Sequence, residues 1–144
     1  WKKIADLASQ YTGEYQGIFP LVMLEKDSLD FSFSWLKSAV KRHIDHEKNT
    51  LEWLTDNRKI QIAYEFEEVV TEVLSKKLER AAIKKWAKMM VLAGGVSANT
   101  KLKDKIQKIS NRIDILFISP KKNIYSMDNA AMVWIRAYYE YSKK

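Results

Sequence analysis

The run Leu92-Ala93-Gly94-Gly95-Val96-Ser97-Ala98-Asn99 constrains the fold more than any other stretch of the chain. Met89 to Ala93 is a short apolar segment that reads as a buried strand, and the glycine pair ends it. Ser97 suits the cap of a helix that carries Leu102, Ile106 and Ile109 on one face. A strand that turns into a helix begins a βαβ unit and needs a second strand beside the first. Ile113 to Ser119, closed by Pro120, supplies that strand, and a last helix runs from Asp128 to about Tyr141.

The first half of the chain reads as helical. Residues 3–10 read as the end of a helix with Ile4, Leu7 and Ala8 on one face, and Tyr11 to Ser28 is loop, punctuated by Gly13, Gly17 and Pro20. Asp30-Phe31-Ser32-Phe33-Ser34 alternates at period two and suits a short extended segment. A helix then runs from about Trp35 to Asp45 with Leu36, Val40 and Ile44 inward, and Asn49 to Asn57 also reads as helical. From Ile60 to Lys84 the pattern is strongest, with Ile62, Phe66, Val69, Val70, Val73 and Ala81 at three- and four-residue spacings. The class is therefore α/β, rich in helix, with at least two strands expected to run parallel. Two strands make a poor sheet, because faces and edges both need cover. With the start at Trp1 and not Met, this gives the expectation that residues 1–144 are one piece of a larger sheet protein.

Glycines where a strand meets a helix let a nucleotide or phosphate approach the backbone, and the helix start offers unpaired N–H groups. Met127-Asp128-Asn129-Ala130-Ala131-Met132 puts a carboxylate at the mouth of the last helix, where it can cap or hold a metal. The chain has no cysteine, so a disulfide framework and a thiolate metal site are excluded, and a reducing cytoplasm is expected. No apolar run approaches the ~20 residues that a membrane span needs. The net charge of +7 favours an anionic partner. Lys101, Lys103, Lys105, Lys108, Lys121, Lys122, Lys143 and Lys144 read either as a solvated face or as a nucleic-acid footprint. Tyr125, Tyr138, Tyr139 and Tyr141 suit amphipathic packing better than base stacking.

Four motifs carry a resemblance. Leu29-Asp30-Phe31-Ser32-Phe33-Ser34 with Leu36-Lys37, then Phe66-Glu67-Glu68-Val69-Val70, then Leu92 to Asn99, then Asp128 to Met132, occur in the order and near the spacing of one family. The chain resembles the C-terminal portion of the tRNA threonylcarbamoyladenosine transferase family (TsaD-like, formerly labelled O-sialoglycoprotein endopeptidase or glycoprotease). The resemblance implies part of an actin-like, Hsp70-like (ASKHA, ribonuclease H-like) two-lobed fold. Residues 1–144 would be a single C-terminal lobe fragment lacking the N-terminal half. It implies transfer of a threonylcarbamoyl group from threonylcarbamoyl-adenylate to the N6 amine of the adenosine beside the anticodon of tRNA. Asn99 would contact the adenylate, Gly94 and Gly95 would be the close-approach glycines, and Asp128 would be a metal ligand. The cofactor would be one divalent metal, iron or zinc. The partners would be tRNA and accessory subunits, an ATPase and a paralogue, in the cytoplasm and with no membrane.

The chain departs from the family pattern in informative ways. The family's other metal ligands are histidines of an HxxxH motif, and the chain has only His43 and His46, three apart. One carboxylate alone binds a divalent metal poorly, so the isolated chain is expected to be inactive, with no catalytic residue assigned within it. The alternative is a non-catalytic module that binds partner subunits or tRNA. LDFSFS and DNAAM argue against a sugar or acetate kinase, and no nucleophile–base pair supports a protease. FPRPM of the family stands here as Phe19-Pro20-Leu21-Val22-Met23, without its arginine. Trp35 occupies the glycine of LDFSFSGLK, and Trp1 and Trp86 fall near two other family glycines. Two explanations stand open, genuine drift or a genome that reads UGA as glycine but was translated as tryptophan. If the turn at residue 35 needs positive φ, Trp35→Gly should stabilise the protein.

Overall fold

The computed structural model describes residues 2–21, 27–51, 54–121, 125 and 129–142. Its elements are α1 (Lys2–Ala8), α2 (Ser34–Leu51), α3 (Asp56–Lys84), β1 (Met89–Val91), α4 (Thr100–Ile113), β2 (Leu116–Ile118) and α5 (Ala130–Tyr141), with a 3₁₀ turn over Gly95–Ala98. The strands pair in parallel, Met89 opposite Leu116 and Val91 opposite Ile118. Helix-rich α/β architecture with two parallel strands is what the sequence pattern demands. Both strands are shorter than expected. Ile113 is spent on the last turn of α4, Asp114 takes a left-handed conformation (φ 52°), and the Ile115 N–H donates to Ser110 O at 3.1 Å. The ladder can begin only after that turn.

α3 is the spine. Its first turn is capped by Thr55, whose side chain accepts from the Arg58 N–H, and its early apolar residues Ile62, Val69, Val70 and Val73 meet Phe19 and Leu36 in one core cluster. Its far end turns another face to α4 and β1, where Ala82, Met90, Leu102, Ile106 and Ile109 form a second cluster. The loop after α1 is held by a buried carboxylate. Glu65 accepts from the Gln16 N–H at 2.6 Å and the Ile18 N–H at 3.0 Å, and Gly17 between them takes φ 70°. Successive N–H groups curled around a carboxylate form an anion nest, and this one delivers Phe19 to the core.

Two local expectations are corrected. Residues 30–33 form no strand; Phe33 packs against the core, and Phe31, its ring 5.5 Å from that of Phe33, stays exposed. Trp35 lies in the first turn of α2 and is not at positive φ; the described non-glycine residues with positive φ are Trp86 and Asp114. A right-handed helical position accepts tryptophan, so the stabilisation expected of Trp35→Gly loses its basis. The motif at Met127 and Asp128, together with Trp1, lies outside the described residues.

Candidate functional site

The turn between β1 and α4 is built on two glycines that differ in what the fold asks of them. Gly94 has φ 80° and ψ 178°, a region that only glycine occupies without strain. Gly95 has no positive φ, and a Cβ there would meet no atom within 4 Å. The fold therefore needs glycine at 94 for conformation, whereas nothing in the protein's own packing requires it at 95. Both glycines are exposed, at the open side of a turn whose far side is fixed.

That fixing comes from Asn99, and here the cap differs from the expected Ser97. Asn99 Oδ1 accepts from the Leu102 N–H at 2.7 Å, which makes Asn99 the N-cap of α4. Its Nδ2 donates to Glu67 Oε1 of α3 at 2.6 Å, and both residues are buried. Ser97 lies two residues too early, inside the 3₁₀ turn, and its hydroxyl is buried without a hydrogen-bond partner. One amide hydrogen and one lone pair of Asn99 remain uncommitted.

Glu67 belongs to a charged seam between α3 and α4. Lys101 Nζ lies 3.2 Å from Glu67 Oε2 and 2.8 Å from Glu68 Oε1, and 4.1 Å from the centroid of the Tyr64 ring. Lys105 Nζ bridges Glu68 Oε2 at 2.8 Å and Glu72 Oε2 at 2.9 Å. Burial pushes the Glu68 and Glu72 carboxyls up, but the lysines beside them outweigh it and hold both below the usual range. Burial likewise disfavours the Lys101 cation, and Glu68 and Glu67 more than compensate, so its pKa is raised. Two of the lysines that read as a solvated or nucleic-acid face are thus committed to holding α4 on α3. The sequence sets Glu67 and Glu68 in the motif over residues 66–70 but gives them no site role; a pair of glutamates within the apolar stripe of the longest helix is the signal for the seam.

Beside the glycine turn opens a groove of about 490 Å³, lined in part by Phe31, Phe33, Val91, Leu92 and Val96. It brings the LDFSFS stretch next to the glycine turn. No three His, Asp or Glu side chains gather among the described residues where a metal ion could sit. His43 Nε2 is 3.0 Å from Glu47 Oε1 and 3.2 Å from Arg58 Nη2, so a guanidinium already shares its surroundings. The described residues do not fit a metal centre.

Comparison with known proteins bears out the family resemblance. A family model described as tRNA N6-adenosine threonylcarbamoyltransferase (TsaD) matches residues 2–134. The chain belongs to the TsaD family. A TsaD relative from Moorella thermoacetica, named tRNA N6-adenosine threonylcarbamoyltransferase, is 36% identical over 126 residues, covering 88% of this chain and 36% of the relative. A protein of the same name from Francisella philomiragia is 37% identical over 144 residues, covering 97% of this chain and 40% of that one. The chain spans between about a third and two fifths of the TsaD proteins it matches.

Proposed function

We propose that this chain is the adenylate-binding C-terminal part of a tRNA N6-adenosine threonylcarbamoyltransferase. Its ligand is threonylcarbamoyl-adenylate, which its parent transfers to tRNA. The observation that carries the reading is Gly95. A residue without a side chain, on an exposed turn, with neither a conformational nor a packing demand for glycine, is what a closely approaching phosphate-bearing ligand requires. Gly94 shapes the approach, and Asn99, itself buried, serves the ligand by locking the turn to α3 through Glu67. The groove beside Phe31 and Val96 offers an apolar wall for a nucleoside. Asp128 would add one metal-binding carboxylate, with the remaining ligands, iron or zinc chemistry, the ATPase and the paralogue belonging to the assembled parent.

The test is calorimetric titration of the chain with threonylcarbamoyl-adenylate and, separately, with AMP. Gly95→Ala keeps an allowed backbone and meets no neighbour, so its melting temperature should stay within a degree or so of the parent chain. Its affinity for the adenylate should fall at least tenfold. Equal binding by Gly95→Ala, with the fold intact, would remove the argument from this turn.

A further inference from the structure

A second groove, of about 530 Å³, lies between α2 and α3, away from the glycine turn, and its walls are almost wholly apolar. We propose that it receives an acidic amphipathic helix of a partner protein, an inference independent of the adenylate reading. From α2 it is lined by Lys37, Val40, Lys41 and Ile44, and from α3 by Lys59, Ile62, Ala63 and Phe66, with Ile4 of α1 and Leu54 completing the lining. Both sets fall at i, i+3, i+4 and i+7, so each helix offers one continuous face two turns long, about 10 Å. Ile62 and Ala63 form an enclosed floor, while Val40, Ile44 and Phe66 keep part of their surface open. An open trough between two helices is the shape that takes a third helix by its own i, i+3, i+4, i+7 anchors.

The rim decides the charge of that helix. Lys37 and Lys41, one turn apart on α2, are exposed and have no carboxylate within ion-pair distance among the described residues. Lys59 on the opposite rim reaches only the exposed Asp56, at 2.8 Å on its own helix. This contrasts with Lys101 and Lys105, each answered by two glutamates across a helix interface. An apolar floor whose rim carries two lysines without an ion pair among the described residues, Lys37 and Lys41, and a third paired only within its own helix selects leucine-type anchors flanked by Glu or Asp, and like charge on a basic helix would repel it.

The probe is a fluorescein-labelled 14-residue helical peptide with leucines at i, i+3, i+4 and i+7 and glutamates on both flanks. The full chain is titrated into it and anisotropy is read. Saturable binding is expected, weakened at least tenfold by Lys37→Glu with Lys41→Glu and weakened again as salt rises from 50 to 500 mM. Circular dichroism of the double variant controls for unfolding. A peptide carrying lysines in place of glutamates should bind the double variant better than the parent chain. Equal binding of a scrambled peptide of the same composition, or indifference to the charge reversal, overturns the proposal. Binding of decanoate without the peptide would assign the groove to a small amphiphile and also overturn it. Self-association abolished by Val40→Glu, with no peptide binding, would assign the groove to a second copy of the chain and overturn it as well.

Discussion

Trp86 shows how one residue can sit against its own backbone. It follows the end of α3 at φ 51°, with the Trp86 N–H donating to Ile83 O at 3.2 Å and the Ala87 N–H to Ala82 O at 2.9 Å. That pair of bonds is a Schellman turn, and its left-handed position is where glycine is preferred. The side chain is 90% exposed, so it gains almost no burial in return. Trp86→Gly should therefore raise unfolding free energy by about 1 kcal/mol, seen as a higher urea midpoint with unchanged slope. An unchanged or lower midpoint would show that the turn carries no strain. The codon at position 86, TGA or TGG, bears on which residue the natural protein carries. Asn99 is the opposite case, a residue whose every engaged atom is matched. Asn99→Asp keeps the cap but sets a second carboxylate where Nδ2 now meets Glu67 at 2.6 Å. Two carboxylates that close disfavour each other's charge, which should cost about 2–3 kcal/mol at pH 7. Because a raised acid pKa costs stability only above the unfolded value, the variant should regain stability as pH falls toward 4, the reverse of the parent chain.

At the scale of elements, the seam between α3 and α4 sets the pH response. Glu68 and Glu72 are held below their ordinary value of 4.5 despite burial, as is Glu47, chiefly by its hydrogen bond from Arg58. A depressed folded pKa contributes stability that is present above the unfolded value and lost as pH falls through the folded one. Thermal stability should drop from about pH 5 downward. Lys101, raised above 10.5, adds a loss at the alkaline end as pH climbs through its folded value. Glu68→Gln should cost about 1 kcal/mol at pH 7 and flatten the acid limb, in melts taken from pH 3 to 7. A variant with the same acid limb as the parent would place the acid sensitivity elsewhere. The elements themselves were legible where period and punctuation agreed. α3 and α4 showed their apolar faces plainly, and Thr55 ahead of Asp56 is an ordinary cap. α2 runs past its expected end at Asp45 to Leu51, because Glu47 is tied to Arg58 and His43 and the helix continues through them. Those are tertiary partners that local pattern does not contain. The α4 cap was misplaced by two residues for a related reason: Ser97 and Asn99 are both good caps, and the tie to Glu67 selects the second.

The whole molecule exposes apolar surface on a scale its elements do not explain singly. In β1, Met90 is buried under α4, while Met89 and Val91 face outward; in β2, Leu116 and Ile118 do the same. Register sets these four side chains in a two-by-two patch, with Val91 56% and Leu116 60% exposed. α5 buries none of its residues, although Met132, Val133, Trp134, Ile135, Tyr138 and Tyr139 make it apolar around most of its circumference, outside the strip of Arg136 and Glu140. The amphipathic packing expected of its tyrosines is therefore absent among the described residues. A helix of that kind belongs inside a protein, and a parallel sheet needs both faces covered. Of the expected site, sequence motif alone marked the glycine turn and Asn99, because backbone approach and capping leave residue-type signatures. The groove walls and the charged seam were marked only as motif residues without roles, Phe31 and Phe33, Glu67 and Glu68, since they join residues thirty or more positions apart, such as Glu67 and Asn99. The open sheet face yields the last expectation. The isolated chain should self-associate in sedimentation velocity at tens of micromolar, and Val91→Lys with Leu116→Lys should shift it toward monomer without altering its circular dichroism. These outward positions touch no core cluster, so a loss of self-association would report the face and not the fold. A chain that sediments as a monomer before any substitution would mean that the patch is covered within the molecule itself.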